Sequence, residues 1–159
     1  MAGADWPQRV ADVFGGYDEG FGPLTVDVPT DAWLTSVTTA RDTLGCTFFD
    51  WLSAVDELAE GFRVVCHVAA PDRGTVEHLL LRTRVPRQAP ELASITSVYA
   101  GAGWHERETA EMFGITFIGG RPAPPHLLLP EEFEGHPLRK DFVLASRVAK
   151  PWPGAKEPG

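Results

Sequence analysis

The distribution of proline is the feature that most constrains how this chain can fold. Residues 118–159 hold eight of the 14 prolines in the 159-residue sequence. Proline has no backbone N–H and a fixed φ, so it does not fit a regular helix or a central strand. We therefore predict a globular domain over residues 1–117. Residues 118–159 are predicted to form an extended arm that docks on a partner and whose last residues are disordered.

Apolar spacing in the first 117 residues predicts four helical stretches. The first begins after Asp5, which can cap it, and stops at Gly15. The second is capped by Thr30, carries apolar residues at Trp33, Val37, Ala40 and Leu44, and ends at Gly45. A third is expected around Glu91 to Tyr99, and a fourth in the segment Gly103 to Phe117.

Alternating apolar and polar residues predict the strands. Leu24 to Val28 alternates, Cys46 to Val55 is rich in β-prone residues, and Phe62 to Ala69 and Thr75 to Val85 flank a Pro-Asp-Arg-Gly turn. These last two segments should form a hairpin. The order of the elements predicts an α+β fold, with helices packed on one face of a largely antiparallel sheet.

Composition limits the classes of function. The chain is 43% hydrophobic and 23% charged, as expected for one soluble domain, and its net charge of −8 argues against nucleic-acid binding. It has no apolar run of the ~20 residues that a membrane span needs and no signal-like N-terminus, so a cytoplasmic location is expected. Cys46 and Cys66 are predicted to be small buried hydrophobes of a reducing compartment, and two thiols are too few for an ordinary iron–sulfur cluster.

A first cluster of charges lies in Gly103 to Phe117 (GWHERETAEMFGITF). On a helical wheel, Arg107, Glu108 and Glu111 straddle Trp104, and no clean polar face is left. The helix should therefore be covered on more than one side, with Arg107 and Glu111 paired one turn apart. The alternative is an ordinary solvated ion pair.

Catalytic motifs are incomplete in this cluster. His105-Glu106 begins a zinc-hydrolase motif, but the second histidine position holds Thr109, and the remaining histidines are scattered. Gly101-Ala102-Gly103 begins a dinucleotide fingerprint whose third glycine position holds Glu106. We expect no metal site, and a free-standing hydrolase using His105 and Glu106 remains an alternative.

A second cluster is the run Glu134 to Phe142 (EGHPLRKDF), whose Gly-x-Pro turn exposes two cations and an acid. Apolar residues at 127–129, 133 and 142–144 are too frequent nearby for a free tail. The arm should therefore lie on a protein surface.

Together the two clusters resemble the C subunit of the proton-translocating NADH-quinone oxidoreductases, respiratory complex I. The resemblance extends to Asp50–Asp56, and the sequence departs from the family pattern at Ala110, at Glu111 and after Gly119. The first motif is met by Glu106, Arg107, Glu108, Glu111, Met112, Phe113, Gly114, Ile115 and Phe117, and the second by Glu134, Gly135, His136, Pro137, Leu138, Arg139, Lys140, Asp141 and Phe142.

The resemblance implies a non-catalytic subunit without a cofactor or metal of its own, on the cytoplasmic side of the cell membrane, peripheral and without a direct span. NADH, flavin, iron–sulfur clusters and quinone would belong to other subunits. The implied partners are the D-type subunit, which helps to form the quinone site, and neighbouring subunits of the hydrophilic arm. An equivalent subunit of a membrane-bound hydrogenase-type complex is the alternative. The implied partner-binding residues are Glu106, Arg107, Glu108, Glu111, Phe113, Gly114 and Glu134 to Phe142.

Overall fold

The computed structural model describes residues 5–20, 22–72, 74–120 and 126–143 of the chain. Two 3-10 turns, Thr30–Ala32 and Leu58–Glu60, join some of its elements. The helices and strands are α1 (Trp6–Phe14), β1 (Leu24–Asp27), α2 (Trp33–Asp42), β2 (Phe48–Asp56), β3 (Phe62–Asp72), β4 (Thr75–Val85), β5 (Glu91–Ala93), α3 (Ala102–Phe113) and β6 (Thr116–Ile118).

The main sheet has the strand order β1-β4-β3-β2. Strand β3 runs antiparallel to both neighbours, with Cys66 opposite Leu52 on β2 and Leu81 on β4, whereas β1 runs parallel to β4. The predicted hairpin is therefore confirmed. So is the α+β class with a mostly antiparallel sheet.

The core lies between α2 and one face of this sheet. Trp33, Val37 and Ala40 have no solvent exposure, and they belong to the same apolar cluster as Val64 and Cys66 of β3. Burying a large apolar side chain contributes roughly 1.5–3 kcal/mol. The sequence predicted these core positions because apolar residues recur every three to four positions along α2 and every two positions along β3.

Both cysteines are buried and free, as predicted. Burial raises the pKa of the Cys46 thiol to about 12, so the group stays protonated and behaves as an apolar side chain. In the residues that the structure describes, no helix is long and apolar enough to cross a membrane.

The first two helices begin differently from one another. The Asp5 carboxylate accepts the Trp6 N–H at 3.0 Å, so the predicted cap of α1 is confirmed. The Thr30 cap is wrong, because α2 starts at Trp33 after a 3-10 turn and the Thr30 hydroxyl donates instead to the Arg84 carbonyl at 2.9 Å. A neighbouring strand supplied an acceptor that the local sequence does not reveal.

The helix predicted around Glu91 to Tyr99 is also wrong. Glu91–Ala93 is a strand that pairs in parallel with β6, and turns follow it. The Thr116 N–H donates to the Pro90 carbonyl and the Ser94 N–H to the Ile118 carbonyl, each at 2.8 Å. These bonds join segments that are distant in sequence, and they outweigh the local helical spacing.

Replacement of Gly61 by alanine should destabilise the fold more than replacement of Gly45. Both glycines have positive φ, +99° and +80°, and Gly45→Ala should cost about 1–2 kcal/mol for that reason. A Cβ on Gly61 would also overlap the Val85 carbonyl oxygen, whereas a Cβ on Gly45 meets nothing within 4 Å. Urea unfolding of the two variants measures the difference, and equal losses would contradict this explanation.

Candidate functional site

Helix α3 brings most of the predicted site residues together. Its Phe113 ring packs edge-on against Phe62 at 6.1 Å between centroids, and its His105 ring packs edge-on against Phe49 at 5.2 Å. The His105 Nδ1 accepts the Leu52 N–H of β2 at 3.4 Å. The helix is therefore fixed along β2, and His105 serves this packing.

Glu106 ties α3 to the chain that follows β5. Its side chain is buried, and its two oxygens accept the Ile95 N–H and the Ser94 hydroxyl, each at 2.7 Å. Burial raises the pKa of this carboxyl above its ordinary value, although both hydrogen bonds oppose the shift. The carboxylate is thus engaged within its own chain.

Glu111 holds residues 127–129 of the arm. Its buried carboxylate accepts three successive backbone N–H groups, from Leu127, Leu128 and Leu129, at 2.9, 2.9 and 3.0 Å. Burial by itself raises the pKa of Glu111, but these bonds together with His126 lower it more, and the net shift is downward. A row of backbone N–H groups is a favourable site for an anion.

The predicted pair of Arg107 and Glu111 is not among the ion pairs of the described residues, because Glu111 turns to the arm. Arg107 lies over the Trp104 ring at 5.3 Å and donates to the His126 carbonyl at 3.4 Å. Glu108 is exposed, and Trp104 is 63% exposed. The outer side of α3 therefore presents an aromatic ring with a cation over it.

The second cluster caps the end of α3. The His136 Nδ1 donates to the Glu111 carbonyl at 2.8 Å, and the Leu138 N–H donates to the Met112 carbonyl at 3.1 Å. The Arg139 Nε donates to the Phe113 carbonyl at 2.6 Å. The last carbonyls of a helix have no partner within it, and cations are favourable there. The two sequence clusters thus bind one another within a single chain.

Gly114 makes this approach possible. It ends α3 with a φ of +71°, and a Cβ at this position would overlap the side chains of His136 and Arg139. A residue with a side chain would both strain the turn and displace the cap. The glycine of the first cluster is therefore explained by the second cluster.

A third buried acid fastens the arm to the main sheet. The Asp56 carboxylate, at the end of β2, accepts the Leu58 N–H and the Lys140 N–H, each at 2.8 Å, and pairs with Arg87 at 2.7 Å. Arg87 also pairs with Asp141 at 2.5 Å. The sequence patterns did not single out Arg87 or assign a role to Asp56. An acid at a core-facing position of a strand must find polar partners, and this requirement could have identified Asp56 as a site residue.

The rest of the second cluster completes this packing. Phe142 stacks on Phe133 at 5.8 Å between centroids, and Gly135 has a φ of +92° with the Phe142 ring beside it. Glu134 and Lys140 are exposed at the surface, and Pro137 is partly buried. Four apolar side chains remain largely exposed around the site, namely Trp104 at 63%, Leu128 at 62%, Leu138 at 52% and Val143 at 82%.

In the part of the chain that the structure describes, the clustered side chains make structural contacts between segments. Within the described ranges, no group of three His, Cys, Asp or Glu side chains is placed to hold a metal ion. His105 and Glu106 each bind a backbone N–H of another segment, which is not the arrangement of a zinc hydrolase. The geometry can hold segments together and present a surface.

The family is decided by the match of residues 26–148 to the model of the respiratory-chain NADH dehydrogenase 30 kDa subunit. This chain belongs to that family. The resemblance carried by the two sequence clusters is thereby confirmed, and the clusters, Glu106 to Phe117 and Glu134 to Phe142, both lie inside the matched range.

Curated members that are named as the C subunit of NADH-quinone oxidoreductase are similar over most of the chain. The Roseiflexus castenholzii protein is 36% identical over 139 residues, covering 85% of this chain and 78% of the relative. The Brucella abortus protein is 35% identical over 148 residues, covering 89% and 70%, and the Phenylobacterium zucineum protein is 36% identical, covering 85% and 64%. The matched part of the chain thus covers about two thirds to four fifths of the length of these relatives.

Two solved structures share the fold of this family member. The trypsin-resistant fragment of Nqo5 (residues 1–134) aligns with a TM-score of 0.64 and 25% identity, covering 75% of this chain and all of that fragment. A chain of an archaeal membrane-bound sulfane sulfur reductase aligns with a TM-score of 0.69 and 23% identity, covering 87% and 83%. The second likeness concerns the fold alone.

Glu111→Gln should destabilise the fold at neutral pH by more than Glu106→Gln does. Glu111 has a lowered pKa, so its ionised form stabilises the fold above the ordinary value of 4.5, and this contribution is lost as the pH falls through the folded-state pKa. Glu111→Gln should therefore cost about 1.5–3 kcal/mol at pH 7 and less at about pH 3.5.

Glu106 has a raised pKa, so its ionisation opposes folding at neutral pH. The contribution of Glu106 to the unfolding free energy of the wild-type chain therefore increases as the pH falls. Glu106→Gln should change the unfolding free energy at pH 7 by less than ~1 kcal/mol. Urea unfolding at both pH values measures these effects. A larger loss for Glu106→Gln than for Glu111→Gln at pH 7 would show that the two carboxylates have been assigned the wrong roles.

Proposed function

We propose that this chain is a cofactor-free structural subunit of the peripheral arm of a proton-translocating NADH-quinone oxidoreductase. It lies on the cytoplasmic side of the membrane and supports electron transfer from NADH to quinone by docking the D-type subunit. The other subunits carry the flavin, the iron–sulfur clusters and the quinone. The family membership and the names of its curated relatives support this role.

One observation carries the docking proposal: the arm is fixed on α3 while apolar side chains around it stay exposed. Trp104 and Leu128 are each more than 60% exposed, and Leu138 and Val143 more than 50%. The anchored backbone around them donates to Glu111 and Met112, so these side chains project from a positioned surface. Exposed apolar groups with polar neighbours are typical of a protein–protein interface.

The charged residues of the two clusters have an additional role in this proposal. Glu106, Glu111 and Arg139 fasten the chain's own segments, so they would shape the docking surface from below. Glu108, Glu134 and the exposed apolar residues would touch the partner.

The equivalent subunit of a membrane-bound hydrogenase-type complex remains the alternative within the same family of assemblies. Purification of the complex through a tag on this chain separates the two possibilities. A D-type protein together with flavin- and NADH-binding subunits supports our proposal. A nickel-containing partner without an NADH-binding subunit would support the alternative, and an active monomer would favour a hydrolase.

Leu128→Ser and Leu138→Ser should each weaken assembly without affecting folding. Both side chains are mostly exposed, so the isolated chain should keep its unfolding free energy to within about 0.5 kcal/mol. Loss of an apolar interface contact should cost about 1–2 kcal/mol of binding, which lowers assembly roughly fivefold or more. Complex yield on a native gel and quinone reduction per assembled complex are the two measurements.

Val76→Ser is the matched control, because Val76 is 55% exposed but lies at the β3–β4 hairpin, away from α3. It should leave assembly unchanged. Turnover per assembled complex should stay normal in all three variants. Normal assembly with lost turnover would indicate a catalytic role, and an equal effect of Val76→Ser would move the interface elsewhere.

A further inference from the structure

Among the residues that the structure describes, strand β6 pairs along one edge with β5 and is open along the other. In the parallel pairing with β5, the Thr116 N–H donates to Pro90 and the Ile118 carbonyl accepts from Ser94. Alternate residues of a strand direct their backbone groups to opposite edges. The N–H and C=O of Phe117 therefore point away from β5. Among the described residues, they have no backbone hydrogen-bond partner.

A groove borders this open edge. It has a volume of about 1090 Å³ and lies between α3, which contributes Trp104, Arg107 and Ala110, and the segment that contains β6, which contributes Ile115 and Phe117. Of the described residues that line it, none belongs to β5. Thr96, Ser97 and Ala100, which follow β5, also line the groove. It therefore lies between α3, β6 and the chain that follows β5, and Phe117 forms part of its wall.

Glycines line this groove at several points. Gly103 lies on the helix side, and Gly114, Gly119 and Gly120 flank the strand. A Cβ on Gly119 would meet nothing within 4 Å, so the space beside it is open. At Gly114 and Gly120 the corresponding space is already filled, by His136 and Arg139 and by Ser94 respectively. Gly119 is therefore the point at which another backbone can come close.

We propose that this groove binds an extended segment of a partner subunit, which adds as a third strand along the open edge of β6. The inference rests on the proposed role as a docking subunit and specifies how one part of the partner is held. Main-chain bonds to Phe117 would give the affinity, and the Trp104 ring would pack against alternate side chains of the added strand.

Charge identifies the chemistry of that segment. The Arg107 guanidinium borders the groove, whereas both oxygens of Glu106 are already occupied by Ile95 and Ser94. The groove therefore favours an acidic side chain in the incoming strand. The partner segment should be β-prone, carry at least one Asp or Glu, and contain no proline at the positions that pair with Phe117.

The five residues after Gly120 do not fit this description. Residues 121–125 read Arg-Pro-Ala-Pro-Pro, and three of the five have no N–H to donate. A strand that pairs with the edge must both donate to and accept from Phe117. Residues 121–125 are therefore not the added strand.

Residue-resolved hydrogen exchange on the isolated chain and on the complex purified through it tests the proposal. The Phe117 amide should exchange fast in the isolated chain and roughly 100-fold more slowly in the complex. The Thr116 and Ile118 amides, which face β5, should be slow in both. Equal rates for Phe117 in the two samples would overturn the proposal, whereas failure to isolate any complex would instead reject the docking role on which it rests.

A photoreactive benzoylphenylalanine in place of Thr116 identifies the occupant in the complex, because Thr116 is exposed on the same strand. A crosslink to an acidic, proline-poor segment of another subunit is expected. A crosslink confined to this chain would overturn the proposal.

Phe117→Pro removes the N–H from the open edge and leaves the bonds of Thr116 and Ile118 to β5 in place. Phe117→Val is the control, because valine keeps the backbone N–H at this position. If both variants fold with equal stability, assembly should fall at least fivefold for the proline variant relative to the valine variant. Equal assembly of the two folded variants would contradict the added strand.

Discussion

The binding of the Glu111 carboxylate by three successive backbone N–H groups is the interaction on which the rest of the site depends. It fixes residues 127–129 of the arm against α3, so that His136 and Arg139 reach the last carbonyls of the same helix. A helix end and a buried acid are each costly to leave without partners. Here each requirement is met by the same segment, and an irregular stretch of chain becomes part of the domain surface.

Buried acids have the same role at two other points. Glu106 binds the chain after β5, and Asp56 binds the arm near Lys140 and the side chain of Arg87. Each accepts at least one backbone N–H from a segment distant in sequence. A buried carboxylate with such donors joins loops that have too little apolar surface to pack on their own. This explains how a small domain holds an arm without extending its sheet.

The residues of the two clusters have two separate roles: some hold the chain's own segments together, and others remain exposed on the surface. The charged residues act mainly inward, and the apolar ones around them, such as Trp104 and Leu128, stay exposed. An interface built in this way would form on a surface that is already positioned, which reduces the entropy lost on binding. The open edge of β6 lies beside the same helix and would extend that surface with directional main-chain bonds.

The sequence by itself determined the elements with a strong local period and their class. Helix α2 was predicted because its apolar residues repeat every three to four positions, and the hairpin of β3 and β4 because theirs repeat every two. The family motifs were recognised from the identity of their residues. The tertiary structure alone decided that Glu91–Ala93 is a strand and that Glu111 turns from Arg107 to the arm. Those outcomes depend on hydrogen bonds between residues far apart in the chain, whose spatial proximity no local pattern encodes.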